Sequence, residues 1–100
     1  MAITHTRTFT RPTIRTPFWV ANDLVKNYIK TTYIDSGKIL DLQRVEDATG
    51  LLIVSLITVF ANTESRDEFV ADPRMVDLYS QRTLHNQYHN IIEELTIEND

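Results

Sequence analysis

Leu51-Leu52-Ile53-Val54-Ser55-Leu56-Ile57-Thr58-Val59-Phe60-Ala61 is the stretch on which the fold turns. It carries no charge, and only Ser55 and Thr58 interrupt its apolar character. The run is about half of the ~20 residues a membrane helix needs. Its β-branched and aromatic content reads as a strand. Leu51, Ile53, Ile57 and Val59 fall on one face, and Leu52, Val54, Leu56 and Phe60 on the other. A strand apolar on both faces is expected to be buried on both faces.

Working backwards, Asp47-Ala48-Thr49-Gly50 predicts a tight loop, with Gly50 in the left-handed position of a bulged hairpin. Lys38 to Glu46 then predicts a partner strand, its Ile39, Leu40, Leu42 and Val45 on mixed faces. Asp35-Ser36-Gly37 closes the element before it, with Gly37 suited to a left-handed cap. That element is a helix over Pro17 to Tyr33. Phe18, Ala21, Val25, Tyr28, Ile29 and Thr32 recur at helical spacing, and Thr16-Pro17 predicts the cap and first position. Ile3 to Arg11 alternates strictly. Thr4, Thr6, Thr8 and Thr10 oppose Ile3, His5, Arg7, Phe9 and Arg11, which predicts a strand ended by Pro12.

Working forwards, Ser65-Arg66-Asp67-Glu68 has the Ser-x-x-Glu form of a capping box. Asp72-Pro73 predicts a restart or kink, with Asp72 as cap and proline at the first position. Met75, Leu78, Tyr79, Arg82 and His85 then share a face of a helix reaching His89. Ile91, Leu95 and Ile97 alternate with Ile92, Glu94 and Thr96 in a last strand.

The order is β-α-β-β-α-β, the split-βαβ ferredoxin-like arrangement. Right-handed crossovers then predict one antiparallel four-stranded sheet with both helices on one face. One hundred residues make a single domain, 1–100, large enough for a core of its own. Hydrophobic residues at 42% and charged residues at 24% are ordinary for a globular chain. With no cysteine, disulfide frameworks, cysteine–zinc sites, iron–sulfur clusters and thiol nucleophiles are excluded.

The formal charge is −4, unevenly distributed. Arg7, Arg11 and Arg15 make the first fifteen residues +3, and Glu93, Glu94, Glu98 and Asp100 make the tail acidic. First and last strands are neighbours in this topology, so Arg7 and Arg11 are expected to face Glu93, Glu94 or Glu98 across strands. The net acidity, and a central strand of Leu, Ile and Val, argue against nucleic-acid binding. The N-terminus has no apolar signal region, so a soluble, cytoplasmic chain without membrane association is expected.

The two-faced central strand has a further consequence. In a lone two-layer domain one sheet face meets water, and an apolar patch there is unfavourable. A second copy stacking sheet to sheet covers it with one closed contact, so a homodimer is expected.

The βαββαβ order, the length, the two-faced third strand and the helix broken at Asp72-Pro73 resemble the dimeric α/β-barrel superfamily, which includes the antibiotic-biosynthesis-monooxygenase-like domains. Phe69-Val70-Ala71-Asp72-Pro73 and the opening Arg7-Thr8-Phe9-Thr10-Arg11-Pro12 also resemble small uncharacterised proteins of marine phages. The first resemblance implies a cleft between helices and sheet that holds an aromatic or polyketide-like substrate, worked on by Asn, Trp and Arg side chains. Trp19, Asn22, Asn62 and Arg82 are of those types, but no spacing selects among them, so no catalytic residue is assigned. Haem-degrading relatives present a helical histidine, which His85 or His89 can imitate, although the first strand lacks their asparagine.

Read for themselves, the candidate cleft residues are Tyr28, Tyr79, Arg82, His85 and His89, with Trp19, Tyr33 and Tyr88 as further aromatic candidates. His85 and His89, four apart, share a helix face, but a metal needs a third ligand and Asn86 stands where zinc proteases have Glu. No metal site and no cofactor are expected. Arg82 suits a substrate anion or an enolate, or else a carboxylate partner. Two readings follow. One is a non-catalytic homodimeric interaction or assembly module, which requires a filled interior. The other is a small-molecule-binding or cofactor-free monooxygenase-like domain, which requires a pocket of a few hundred Å³.

Overall fold

The first and last strands lie side by side, and the rest of the chain is folded around them. The computed structural model describes residues 1–47 and 51–99. The elements are β1 (Ile3–Thr10), α1 (Asp23–Ile29) with a π-helical continuation over Lys30–Ile34, β2 (Ile39–Glu46), β3 (Ile53–Phe60), α2 (Thr63–Ala71), α3 (Pro73–His89) and β4 (Ile92–Asn99). The sheet order is β2-β3-β1-β4, with every neighbouring pair antiparallel. This is the βαββαβ ferredoxin-like fold. The loop expected at Asp47-Ala48-Thr49-Gly50, with its glycine conformation, lies at 48–50, outside the described residues, as does Asp100.

Strand faces follow the period-two reading. Ile3, His5 and Phe9 of β1 and Val54 and Phe60 of β3 are buried beneath the helices. Thr4, Thr6, Thr8 and Thr10 pair with Val59, Ile57, Ser55 and Ile53 on the opposite face. A register shift between Ile39 and Asp41 explains the mixed faces of β2. It keeps Ile39 under the helices and leaves Leu40 largely exposed.

The main core joins Tyr33, Ile39, Phe60, Phe69, Met75 and Leu78. Within it the Tyr33 and Phe60 rings pack on Phe69, with centroids 4.9 and 5.3 Å away. A smaller cluster holds Phe9, Val54 and Ile91. His5 is buried edge-on against Phe60 at 5.1 Å. Desolvation, then the charges of Arg66 and Arg7, push its pKa down, so the ring is held neutral.

The helix starts differ from expectation. Thr16-Pro17 does not begin α1. The Thr16 hydroxyl pairs with that of Thr13 at 3.1 Å, and the Thr16 carbonyl accepts from Arg11 at 3.0 Å. Residues 17–22 stay non-helical, and Asn22 caps α1 by accepting from the Val25 amide at 2.9 Å. Likewise α2 starts two residues before Ser65. Asn62 accepts from the Ser65 amide at 2.8 Å, and Ser65 itself is buried. Asparagine is as good a cap as serine or threonine, and at both sites it wins by position. Asp72 and Pro73 do cap and open α3, and Gly37 (φ 81°) takes the left-handed position. Asn90 (φ 57°) ends α3 in the same conformation.

The charge expectation holds for one arginine only. Arg7 Nη1 donates to Glu93 Oε2 at 2.8 Å, diagonally across β1 and β4. Among the described residues Arg11 has no acidic partner. It lies past the end of β1, where its Nε donates to the Leu51 carbonyl at 2.9 Å.

Asp72 does more than cap. Its Oδ1 accepts from the Arg74 amide at 2.9 Å, and its Oδ2 accepts from the hydroxyls of Tyr28 and Tyr33, each at 2.5 Å. The carboxylate thus ties the first helix to the break between α2 and α3. Desolvation raises its pKa, but the two hydroxyls, the Arg74 amide and the Arg74 charge outweigh this and hold it below the usual 3.8. Asp72→Ala should therefore lower stability by about 2 kcal/mol in denaturant titration. Roughly 1 kcal/mol is the lost cap, and the rest is the charge-assisted bond to buried Tyr33, reduced by partial exposure of the carboxylate. A carboxylate with a depressed folded pKa stabilises fully above its unfolded value and loses that contribution as pH falls through the folded one. The stability gap to Asp72→Asn should therefore be constant from neutrality to about pH 4 and close below it. A gap independent of pH to below pH 2 would contradict this account.

Candidate functional site

A cavity of about 470 Å³ lies between α3, the segment at 17–22 and the helix-covered face of the sheet. Its walls are mostly apolar. Phe9, Val54 and Leu56 come from the sheet, Leu78 and Tyr79 from α3, and Phe18 and Trp19 from the non-helical segment. That segment was expected to be helical, which would have turned its side chains through successive faces. As irregular chain it is held by two anchors instead. Arg11 holds the Thr16 carbonyl, and His85 Nε2 lies 2.8 Å from the Pro17 carbonyl oxygen. A carbonyl only accepts, so Nε2 is the protonated nitrogen of His85.

At one end of the cavity the polar groups converge. Arg7 and Arg82 share the single carboxylate of Glu93. Arg7 Nη1 stands 2.8 Å from Oε2, and Arg82 Nε 3.4 Å from Oε1. Asn86 Nδ2 also donates to Oε1, at 3.2 Å. The Tyr79 ring lies 5.0 Å from each guanidinium carbon, and the Phe9 ring 5.1 Å from that of Arg82. Arg82 is 7% exposed. Its contact with Glu93 is too poorly aligned for a hydrogen bond, so among the described residues the buried Nε has an ion-pair partner but no hydrogen bond. Burial lowers the Arg82 pKa, and the Glu93 charge opposes it. Burial also raises the Tyr79 pKa, against the charges of Arg7 and Arg82, so its hydroxyl stays protonated at neutral pH.

Of the five candidate cleft residues, Tyr79 and Arg82 line the cavity and Tyr28, His85 and His89 do not. The Tyr28 hydroxyl is engaged by Asp72. His85 anchors the irregular segment, and the His89 ring lies beside it, tilted by 45° with centroids 4.4 Å apart. Among the described residues no group of three His, Cys, Asp or Glu is placed to hold a metal. Trp19 lines the cavity, Tyr33 belongs to the core, and Tyr88 is largely exposed. Asn22 and Asn62 are both used as helix caps.

Arg7, Asn86 and Glu93 were not singled out as site residues from the sequence. The signal was present. Arg7 falls in phase with Ile3, His5 and Phe9, and Glu93 in phase with Ile91, Leu95 and Ile97. A charge in the apolar phase of a strand points at the covered face, where it needs a partner.

No protein-family profile matches the chain, and no curated protein matches it by sequence. Solved structures do match by shape. SnoaB, a cofactor-independent oxygenase from Streptomyces nogalater, superposes with a TM-score of 0.65 at 10% identity, covering 99% of this chain and 92% of that one. An antibiotic biosynthesis monooxygenase superposes with a TM-score of 0.57 at 13% identity, covering 100% and 98%. A dimeric ferredoxin-like protein from an uncultured marine organism gives 0.59 at 10% identity, covering 97% and 92%. This chain therefore has the ferredoxin-like fold of the dimeric α/β-barrel, antibiotic-biosynthesis-monooxygenase-like proteins.

Proposed function

We propose that this domain binds a small molecule with an apolar, aromatic body in the cavity beneath α3, as an oxygenase-like domain of this fold. The observation that carries the reading is the cavity itself. Its 470 Å³ lies within the range of small-molecule sites, and it has an apolar lining with a few convergent polar groups at one end. An interaction module would need no such space, and packed side chains would serve it better. The likeness in shape to SnoaB, a cofactor-independent oxygenase, favours the same reading.

The test is methyl NMR with 1-naphthol, a neutral aromatic probe. Val54, Leu56 and Leu78 should shift with the probe while methyls on the far sheet face stay in place. Leu56→Trp, which fills the cavity from its floor, should abolish the response and keep the fold. Uniform weak shifts over the whole surface, or none at millimolar probe, would defeat the reading.

We further propose that the domain works as a homodimer through the sheet face that carries no helix. Ile53, Ile57 and Val59 of β3 lie there, and Val45 and Ile92 beside them remain largely exposed. Covering such a row is favourable at roughly 25 cal/mol per Å² of apolar surface. That a protein of the same fold is dimeric supports it. Light scattering at micromolar concentration should give twice the chain mass, and Ile57→Lys should give the chain mass with 1-naphthol binding retained. A wild-type monomer under those conditions would remove the dimer.

A further inference from the structure

Four of the chain's ten Lys and Arg residues line this one cavity: Arg7, Lys26, Arg44 and Arg82. Among the described residues no carboxylate lines it. The chain as a whole is at −4, so this concentration runs against the general charge. At the inner end two guanidiniums share Glu93, which leaves one positive charge over. Lys26 and Arg44 are exposed, Lys26 forms no ion pair among the described residues, and Arg44 reaches Glu46 only at 3.6 Å. The cavity is thus apolar in its walls and cationic both inside and at its edge.

A buried guanidinium normally has its N–H groups filled, because an unpaired one carries the full cost of losing water. Arg82 Nε is buried and makes no well-formed hydrogen bond among the described residues, its ion-pair contact with Glu93 standing at 3.4 Å. It is nonetheless held in place, between the rings of Phe9 and Tyr79. A guanidinium fixed by aromatic faces, lining the cavity and only loosely engaged by a carboxylate it shares with Arg7, is organised to meet a further acceptor from outside the chain. A planar carboxylate matches the fork of a guanidinium better than any neutral group does.

We propose that the ligand of this cavity is an organic anion, an aromatic carboxylate whose ring system lies on the apolar walls and whose carboxylate is held at Arg82. Lys26 and Arg44 raise the local concentration of such an anion at the edge. This rests on the ligand-binding reading above and adds the charge of the ligand to it.

The experiment compares 2-naphthoate with 2-naphthamide, two probes of nearly equal shape that differ in charge, by calorimetry on the wild-type chain. The carboxylate should bind at least tenfold more tightly at low salt, and its advantage should shrink at physiological ionic strength. Lys26→Gln should weaken the salt dependence, and Arg82→Met should reduce the advantage to under threefold. Should Arg82→Met fail to fold, the wild-type comparison at two salt concentrations still decides. Equal affinity, or preference for the amide, overturns the anion assignment and leaves the cavity reading standing. Binding of neither probe, together with a failed 1-naphthol response, overturns both.

Discussion

β1 is hydrogen-bonded along its whole length on both sides, to β3 on one edge and β4 on the other. The chain's first strand is therefore interior, and its last strand is an edge laid against it. This fixes which residues meet across the sheet. Arg7 reaches Glu93 only because the two ends of the chain share a ladder, and the polar end of the cavity is assembled from that meeting. Helix α3 supplies Tyr79, Arg82 and Asn86 above it, and so completes the cluster from a third region of sequence.

The helix layer is set by a second constraint, the joint at Asp72. One carboxylate closes the start of α3 and takes the hydroxyls of Tyr28 and Tyr33. The first helix is thereby docked at its far end, through residues around its π-helical continuation. Its near end is left to the irregular segment, which Arg11 and His85 hold by single carbonyls. Phe69 and Met75 belong to the main core and also close one side of the cavity. Across from them, Phe18 and Trp19 of the irregular segment form its wall without filling the space.

Much of this was legible in the sequence. Alternation of threonine with Ile3, His5 and Phe9 is a period that admits one interpretation, and Leu51 to Ala61 placed the central strand. Asp72-Pro73 was readable because proline is restricted to the start of a helix. The false helix start at Thr16-Pro17 had the same local grammar. What overrode it is tertiary: Thr16 and Pro17 carbonyls are engaged by Arg11 and His85, residues distant in sequence or committed elsewhere. A spacing rule also cannot show a void. Phe18 and Trp19 look the same in sequence whether they fill a core or line a cavity. Arg7 and Glu93 sat in the buried phase of their strands, so their direction was readable. Their partnership with Arg82 required the fold.

The placement of Glu93 also bears on how β4 finds its register. That strand has apolar residues in both phases, Ile92 in one and Leu95 and Ile97 in the other, and all three are substantially exposed. Hydrophobic pattern alone therefore discriminates poorly between the observed pairing and a slip of one residue. A slip would turn Glu93 to the far face of the sheet but bring Glu94 to the covered one, so Arg7 and Arg82 would still find a counter-charge. What separates the two registers is Glu98, which would also turn inward on a slip, beside buried His5 or Ile3. One glutamate turned inward to its arginines, with Glu94 and Glu98 kept on the far face, thus favours the observed alignment of the last strand. It places the polar end of the cavity at a fixed position relative to Phe9 and Tyr79.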